Sequence, residues 1–314
     1  MPEGDTIYRA ARALQRSIGG HVVTGFETGL AKLARVNDDA PLAGRTVEKV
    51  EAKGKWCLLY FSPAPGGDAR GEVAGELILV THMLMSGSWH LYRTGERWRM
   101  GRDRMRVVIK TAEWQAVAFN VPVAEFHTPR SLERYSMIPK LGVDVLAESY
   151  TPQSGADRLA AYAKAHPDAE IAVVLLKQTV LAGLGNVYKS EVAFAAGVNP
   201  FRSMRTITPR EMDVMADVAQ KYMKANVLDG SGDGIVTYFG NRRTTGNSNR
   251  DERLWVYGRQ GQECRRCGAT VMMRKQGEQA RSTYWCPECQ PWVGMSGDTP
   301  VGKTMVVRRR KVGC

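Results

Sequence analysis

Apolar side chains recur at Ile7, Ala10, Ala11, Leu14 and Ile18, one face of a 3.6-residue period. That spacing predicts an amphipathic helix over residues 5–18 with Asp5 as its N-cap. From Thr46 to about Glu125 the pattern changes to short strand-like runs: Trp56–Phe61, Glu76–Val80, Ser88–Tyr92, Met105–Ile109 and Ala116–Phe119. Turn clusters such as Pro63-Ala64-Pro65-Gly66-Gly67 separate them, so a sandwich or barrel is expected. Beyond Pro129 the helical period returns, with helices expected around 155–165, 169–181, 187–196 and 209–228. The run Asp229-Gly230-Ser231-Gly232-Asp233-Gly234 reads as a flexible loop, and the polar, basic stretch 240–250 as a second mobile one. The chain therefore reads as an α+β multidomain protein. Its parts are a β-sandwich domain over 1–128, a linker over 129–150, a helical domain with its loops over 151–250, a cysteine-rich module over 251–290 and a basic tail over 291–314.

Lys plus Arg outnumber Asp plus Glu by 44 to 32, a net charge of +12, which favours a polyanionic partner over a neutral one. An ordinary basic enzyme fits the same excess, so charge supports nucleic acid without selecting it. The longest apolar run near the middle, Ile171–Leu176, stops at Lys177, far short of the ~20 residues of a membrane span. Residues 3 and 5 are acidic where a secretory leader would be basic, so the chain reads as cytoplasmic.

Four of six cysteines form Cys264-x2-Cys267-x18-Cys286-x2-Cys289. Two Cys-x-x-Cys turns at the base of a β-hairpin place four thiolates around one structural Zn²⁺; two disulfides are the alternative, disfavoured in a reducing compartment. Cys57 lies in an apolar strand and reads as core, and Cys314 stands apart.

The chain opens Met1-Pro2-Glu3-Gly4-Asp5-Thr6. Removal of Met1 leaves a secondary amine at Pro2, a nucleophile that would form a permanently charged iminium with a sugar carbon, with Glu3 beside it as acid or base. A solvated terminus is the simpler reading of these residues alone.

Four segments, in order, resemble the formamidopyrimidine-DNA glycosylase/endonuclease VIII family: Pro2-Glu3-Gly4, His82-Met83-Leu84-Met85-Ser86-Gly87 in a strand, Leu184-Gly185-Asn186-Val187-Tyr188, and the cysteine module with Val256-Tyr257-Gly258-Arg259 before it and Arg281-Ser282-Thr283-Tyr284-Trp285 inside it. The resemblance covers about residues 2–290. It implies an N-terminal two-layer β-sandwich with flanking helices, a helix-two-turns-helix domain and a zinc β-hairpin finger, with damaged double-stranded DNA between the lobes, single-stranded or abasic-site DNA being the open alternatives. It implies catalytic roles for Pro2, Glu3 and Lys55, with Lys53 the runner-up lysine, and DNA contacts by Asn186, Arg281, His82 and Tyr257. Packing alone would also account for His82 and Tyr257. Met85 matches the side chain that fills the gap left by an extruded base, although a strand methionine is more often core.

The opening departs from the formamidopyrimidine branch and is similar to the endonuclease VIII branch, especially a Pro-Glu-Gly-Asp-Thr subgroup. A second carboxylate at position 6 is missing, and Asp5 is the open substitute. The other branch's wedge is absent, with Phe119-Asn120-Val121-Pro122-Val123 near its place. The expected function is a bifunctional DNA glycosylase/AP lyase, monomeric and nucleoid-associated, that excises oxidised bases with pyrimidines favoured. The alternatives are a noncatalytic zinc-containing sensor of damaged DNA and a lyase confined to abasic sites.

Overall fold

The computed structural model describes residues 2–65, 75–228, 235–238 and 253–292. The loops expected at 229–234 and 240–250, the tail from 293 onward and Cys314 lie outside the described residues. Chain order is α1 (Gly4–Ile18), β1 (Gly25–Thr28), α2 (Ala31–Asp39), β2 (Val47–Lys53), β3 (Trp56–Phe61), β4 (Leu77–His82), β5 (Ser88–Arg93), β6 (Met105–Lys110), β7 (Trp114–Phe119), β8 (Val123–His127), α3 (Pro129–Glu133), β9 (Val143–Asp144), α4 (Pro152–Ala165), α5 (Ile171–Leu175), β10 (Leu181–Ala182), α6 (Asn186–Ala195), α7 (Pro209–Leu228), β11 (Met272–Gln276) and β12 (Arg281–Trp285).

Two four-stranded antiparallel sheets, β2-β3-β4-β8 and β1-β6-β7-β5, make the expected sandwich. Alternation along each strand fills the space between them: Cys57, Leu59, Phe61 and Leu79 from one sheet join Val107, Ile109, Ala116 and Ala118 from the other, together with Ile7, Leu14 and Ile18 of α1. The opposite face of the first sheet is covered as well. Trp56, Leu58, Ile78 and Val80 pack with Ile138, which is why β3 is apolar at both parities. Cys57 is core, as its sequence context predicts, and burial pushes its thiol up to about 12. Strand β2 escapes the period-two pattern because a bulge between Val47 and Lys49 turns both Val47 and Val50 inward.

The helical half packs around Leu159, Val174, Leu184, Tyr188, Val192 and Met215. A reciprocal cap starts α7: the Glu211 N–H donates to Thr208 Oγ1 at 3.2 Å and the Thr208 N–H to Glu211 Oε2 at 2.8 Å. The helix expected over 169–181 is a correction, since α5 ends at Leu175. Gln178 folds back there, donating to the Leu176 and Leu184 carbonyls and accepting the Gly183 N–H, so the chain turns to pair Leu181 with Val143. Among the described residues no helix is long and apolar enough to cross a membrane.

Candidate active site

The start of the chain meets the start of α6. The Gly4 N–H donates to the Gly183 carbonyl at 2.9 Å, with Pro2 half-buried immediately ahead of it. The N-cap of α1 is Glu3, whose carbonyl accepts from Thr6 and Ile7, and this corrects the expectation for Asp5, which lies inside the first turn. Glu3 does not cap its own helix with its side chain. Its carboxylate instead caps α6, accepting the Val187 N–H at Oε1 (2.8 Å) and the Tyr188 N–H at Oε2 (3.4 Å), so that the positive end of α6 points at it. The group is fully buried. Burial raises its pKa, and this outweighs the opposing pull of Lys55 and of the two N–H groups.

Two glycines make room for this crossing. A Cβ on Gly185 would lie 2.6 Å from Glu3 Oε2, and one on Gly4 would lie 2.7 Å from the Gly183 Cα. Because the obstacle at Gly4 is backbone, Gly4→Ala is expected to lower stability by about 1–3 kcal/mol, read from urea unfolding. An unchanged midpoint would show that the crossing is loose.

Lys55 lies in the β2–β3 turn after Gly54, which takes a left-handed φ of 58°. The Gly54 N–H donates to Asp144 Oδ2 at 2.6 Å, tying that turn to β9. Burial and Arg281 depress the Lys55 pKa, while Glu3 and Asp5 pull it upward, which puts all four groups within one electrostatic neighbourhood. His82, at the end of β4, pairs in register with Trp56 and meets its ring edge-on at 4.6 Å. Its Nδ1 accepts the Leu84 N–H at 3.1 Å, so the proton of the neutral ring is assigned to Nε2. Burial and Lys55 push its pKa down to about 4, so His82 is a neutral donor at physiological pH. Asn186 opens α6 and donates to the Tyr257 hydroxyl at 3.3 Å, leaving its Oδ1 without a partner. Tyr257 packs on Tyr284 of the hairpin with ring centroids 4.9 Å apart, and Arg281, exposed at the start of β12, is held by Gln279 alone among the hydrogen bonds described.

Met85 is not in a strand, which corrects the reading of 82–87. Only His82 belongs to β4; residues 83–87 cross from one sheet to the other, closed by the Gly87 N–H on the Met83 carbonyl. The crossing exposes Met85 (64%) and Leu84 (49%), with Leu84 held at a φ of 45°. The second crossing, around Asn120, leaves from the same end of the sandwich, since Ser88 pairs with Phe119 and His82 with Val123.

Three buried groups here were not singled out in the sequence. Tyr188 lies against Asp5, and both Asp5 oxygens and the Tyr188 hydroxyl are buried without a well-formed hydrogen bond among the described residues; burial raises the pKa of each. Glu191 is fully buried and accepts four donors: the N–H groups of Trp255 (2.9 Å), Val256 (2.9 Å) and Tyr257 (2.8 Å), and the Thr237 hydroxyl. It thereby fixes the segment that carries Tyr257. Lys189 is also fully buried.

The four sulfurs of Cys264, Cys267, Cys286 and Cys289 lie within 4.8 Å of one another, the closest pairs at 3.4 and 3.9 Å. Tetrahedral Zn–S bonds of about 2.3 Å require S···S separations near ~3.8 Å, so the set fits a single closed metal site and not two disulfides. The hairpin β11–β12 spans the spacer, as expected.

Family models match two parts of the chain: the formamidopyrimidine-DNA glycosylase N-terminal domain over residues 1–129 and the formamidopyrimidine-DNA glycosylase H2TH domain over residues 141–237. A Streptomyces coelicolor protein named probable endonuclease 8 2 is 35% identical over 99% of this chain and all of its own length. The Mycolicibacterium smegmatis DNA-(apurinic or apyrimidinic site) lyase Nei2 is 32% identical over 92% of this chain and 99% of its own. The fold matches that of Lactococcus lactis Fpg solved with an abasic site containing DNA, at a TM-score of 0.70 and 22% identity over 93% of this chain and all of that one. With more than two-thirds of its length inside these domain models and full-length relatives above 30% identity, the chain belongs to the formamidopyrimidine-DNA glycosylase family, on its endonuclease 8 side.

Proposed function

We propose that this protein is a bifunctional DNA glycosylase/AP lyase of base excision repair that removes oxidised bases, pyrimidines ahead of 8-oxoguanine. The observation that carries the reading is Glu3: a fully buried carboxyl of raised pKa, next to Pro2 and facing Lys55. A carboxyl held dry at a helix N-terminus beside an amine suits proton transfer during sugar opening. The names of the endonuclease 8 and Nei2 relatives agree with this.

In the proposed sequence the unprotonated Pro2 nitrogen attacks C1′, the new C–N bond replaces the base–sugar bond, and the base departs with the bonding pair. The ammonium so formed passes its N–H proton to the departing base, which leaves neutral; Glu3 then delivers a proton to O4′ as the ring opens, and the freed nitrogen lone pair completes the iminium. Loss of a C2′ proton into that electron sink expels the 3′ phosphate, and a second elimination expels the 5′ phosphate. Lys55, His82, Asn186, Tyr257 and Arg281 hold the kinked backbone, and Met85 enters the space of the extruded base. The sandwich over 1–128 carries the chemistry, the helix-two-turns-helix domain over 151–250, joined by the 129–150 linker, grips the DNA, and the 251–290 finger would be held by one Zn²⁺, which supplies order and no reactivity. The protein works as a monomer on nucleoid DNA in the cytoplasm.

Product analysis on a duplex with a single oxidised pyrimidine tests this: free base and a one-nucleoside gap with phosphate at both ends are expected, whereas uncut DNA bound tightly would overturn it. The Nei2 name and the absence of a carboxylate at Thr6 favour a second reading, a lyase confined to abasic sites. That reading predicts cutting of the abasic duplex alone. Arg281→Ala is expected to weaken DNA binding on the order of tenfold, because a guanidinium bound to phosphate is worth roughly 1.5–3 kcal/mol. Unchanged affinity in a fluorescence titration would remove Arg281 from the DNA contacts.

A further inference from the structure

Lys189 lies on α6, one turn beyond Asn186, and is fully buried. Among the described residues its ammonium nitrogen has no hydrogen-bond partner. Buried lysines are ordinarily paired, since an ammonium taken out of water without an acceptor is among the costliest groups a fold can hold. The neighbouring carboxylates are already engaged. Glu3 accepts from Val187 and Tyr188, and Glu170 accepts from Gln276 at 2.8 Å and pairs with Arg274 at 3.7 Å. The other charged groups acting on Lys189 are cations, Arg281 and Lys275, both on the zinc hairpin. That hairpin is docked on α6 beside it, with the Tyr284 N–H on Ser190 Oγ at 3.3 Å.

We infer that Lys189 is a further phosphodiester ligand of this site, taking a DNA backbone oxygen next to the one held by Arg281. The inference rests on the DNA-binding reading above. The carboxylates near this cluster, Glu3 and Glu170, spend their hydrogen bonds elsewhere, and a phosphate oxygen supplies the acceptor that Lys189 lacks among the described residues. The four-carbon stem of Lys189 lets the ammonium swing toward it. Burial and Arg281 push the pKa of Lys189 down to about 8 in the free protein, with Glu3 and Glu170 opposing and Lys275 adding to the shift. A bound phosphate favours the charged amine and raises that pKa, so binding above pH 8 draws a proton from solution.

The test is binding of a duplex with an uncleavable tetrahydrofuran abasic-site analogue by wild type, Lys189→Met and Lys189→Arg. Lys189→Met is expected to bind on the order of tenfold more weakly, with its log Kd against log salt slope reduced by about 0.9, one phosphate contact. Lys189→Arg keeps the slope. At pH 8.5, calorimetry in two buffers of different ionisation enthalpy should show proton uptake by wild type that Lys189→Met lacks. A folded Lys189→Met with unchanged slope and unchanged proton uptake overturns the inference, leaving a buried structural lysine. If that variant does not fold, absence of proton uptake by wild type overturns it equally. The Arg281→Ala slope separates the two readings: a fall there with none at Lys189 sinks only the Lys189 contact, whereas a wild type that binds no DNA sinks both.

Discussion

Glu3→Gln is expected to slow base excision by about 10²–10⁴, the range general acid–base catalysis contributes, while leaving the protein folded. The amide keeps an acceptor for the Val187 N–H but cannot release a proton to O4′, and it removes a carboxyl whose burial is unfavourable when charged. The loss should be much smaller on a preformed abasic site. There the sugar is already partly the open aldehyde, so the amine attacks without a ring oxygen to be protonated. Single-turnover rates on an oxidised-pyrimidine duplex and an abasic duplex measure this split; an equal loss on both would mean that Glu3 serves the eliminations and not base release.

Removal of the metal should be nearly as damaging, by a different route. The buried core of the finger is small, formed by Phe194, Val256, Cys264, Val271 and Cys286, and two of those five are metal-ligating cysteines. Structural zinc contributes about 10–16 kcal/mol in isolated fingers, far more than such a core can supply. Chelation, or Cys286→Ala, is therefore expected to melt β11–β12 and to weaken DNA binding by about 100-fold or more as Arg281 and the Tyr257–Tyr284 contact are lost. The sandwich should unfold at nearly its original temperature. Zinc content, DNA titration and thermal unfolding on one sample check this, and retained affinity in metal-free protein would separate the finger from DNA binding.

Much of the scaffold was legible in the sequence because it depends on local periodicity. The apolar face of α1, the five strand runs and the cysteine spacing each encode their own element, and the structure places them within a few residues of expectation. The site was legible only through motifs, because its contacts span the chain. Glu3 bonds Val187 184 residues away, a pairing that no window of sequence contains. Helix α6 shows the difficulty most clearly. Its Asn186, Lys189, Ser190 and Glu191 suggest a solvated face, yet residues 186–194 are all buried. Their polar atoms were matched to distant partners such as Tyr257, Tyr284 and Trp255, or in the case of Lys189 to none among the described residues. Asp5 was misplaced for a related reason: the capping rule assumes a side chain serves its own helix, and here Glu3 caps the backbone of α1 and the side-chain site of α6 at once.

The most direct test of the account is borohydride trapping on abasic and oxidised-pyrimidine duplexes. It compares protein beginning at Pro2 with the same protein carrying one additional N-terminal residue, which turns the proline nitrogen into an amide. The account predicts a covalent adduct mapped to Pro2 on both duplexes for the first protein and none for the second. An adduct that survives in the extended protein, or tight binding by both proteins with no adduct from either, would contradict it.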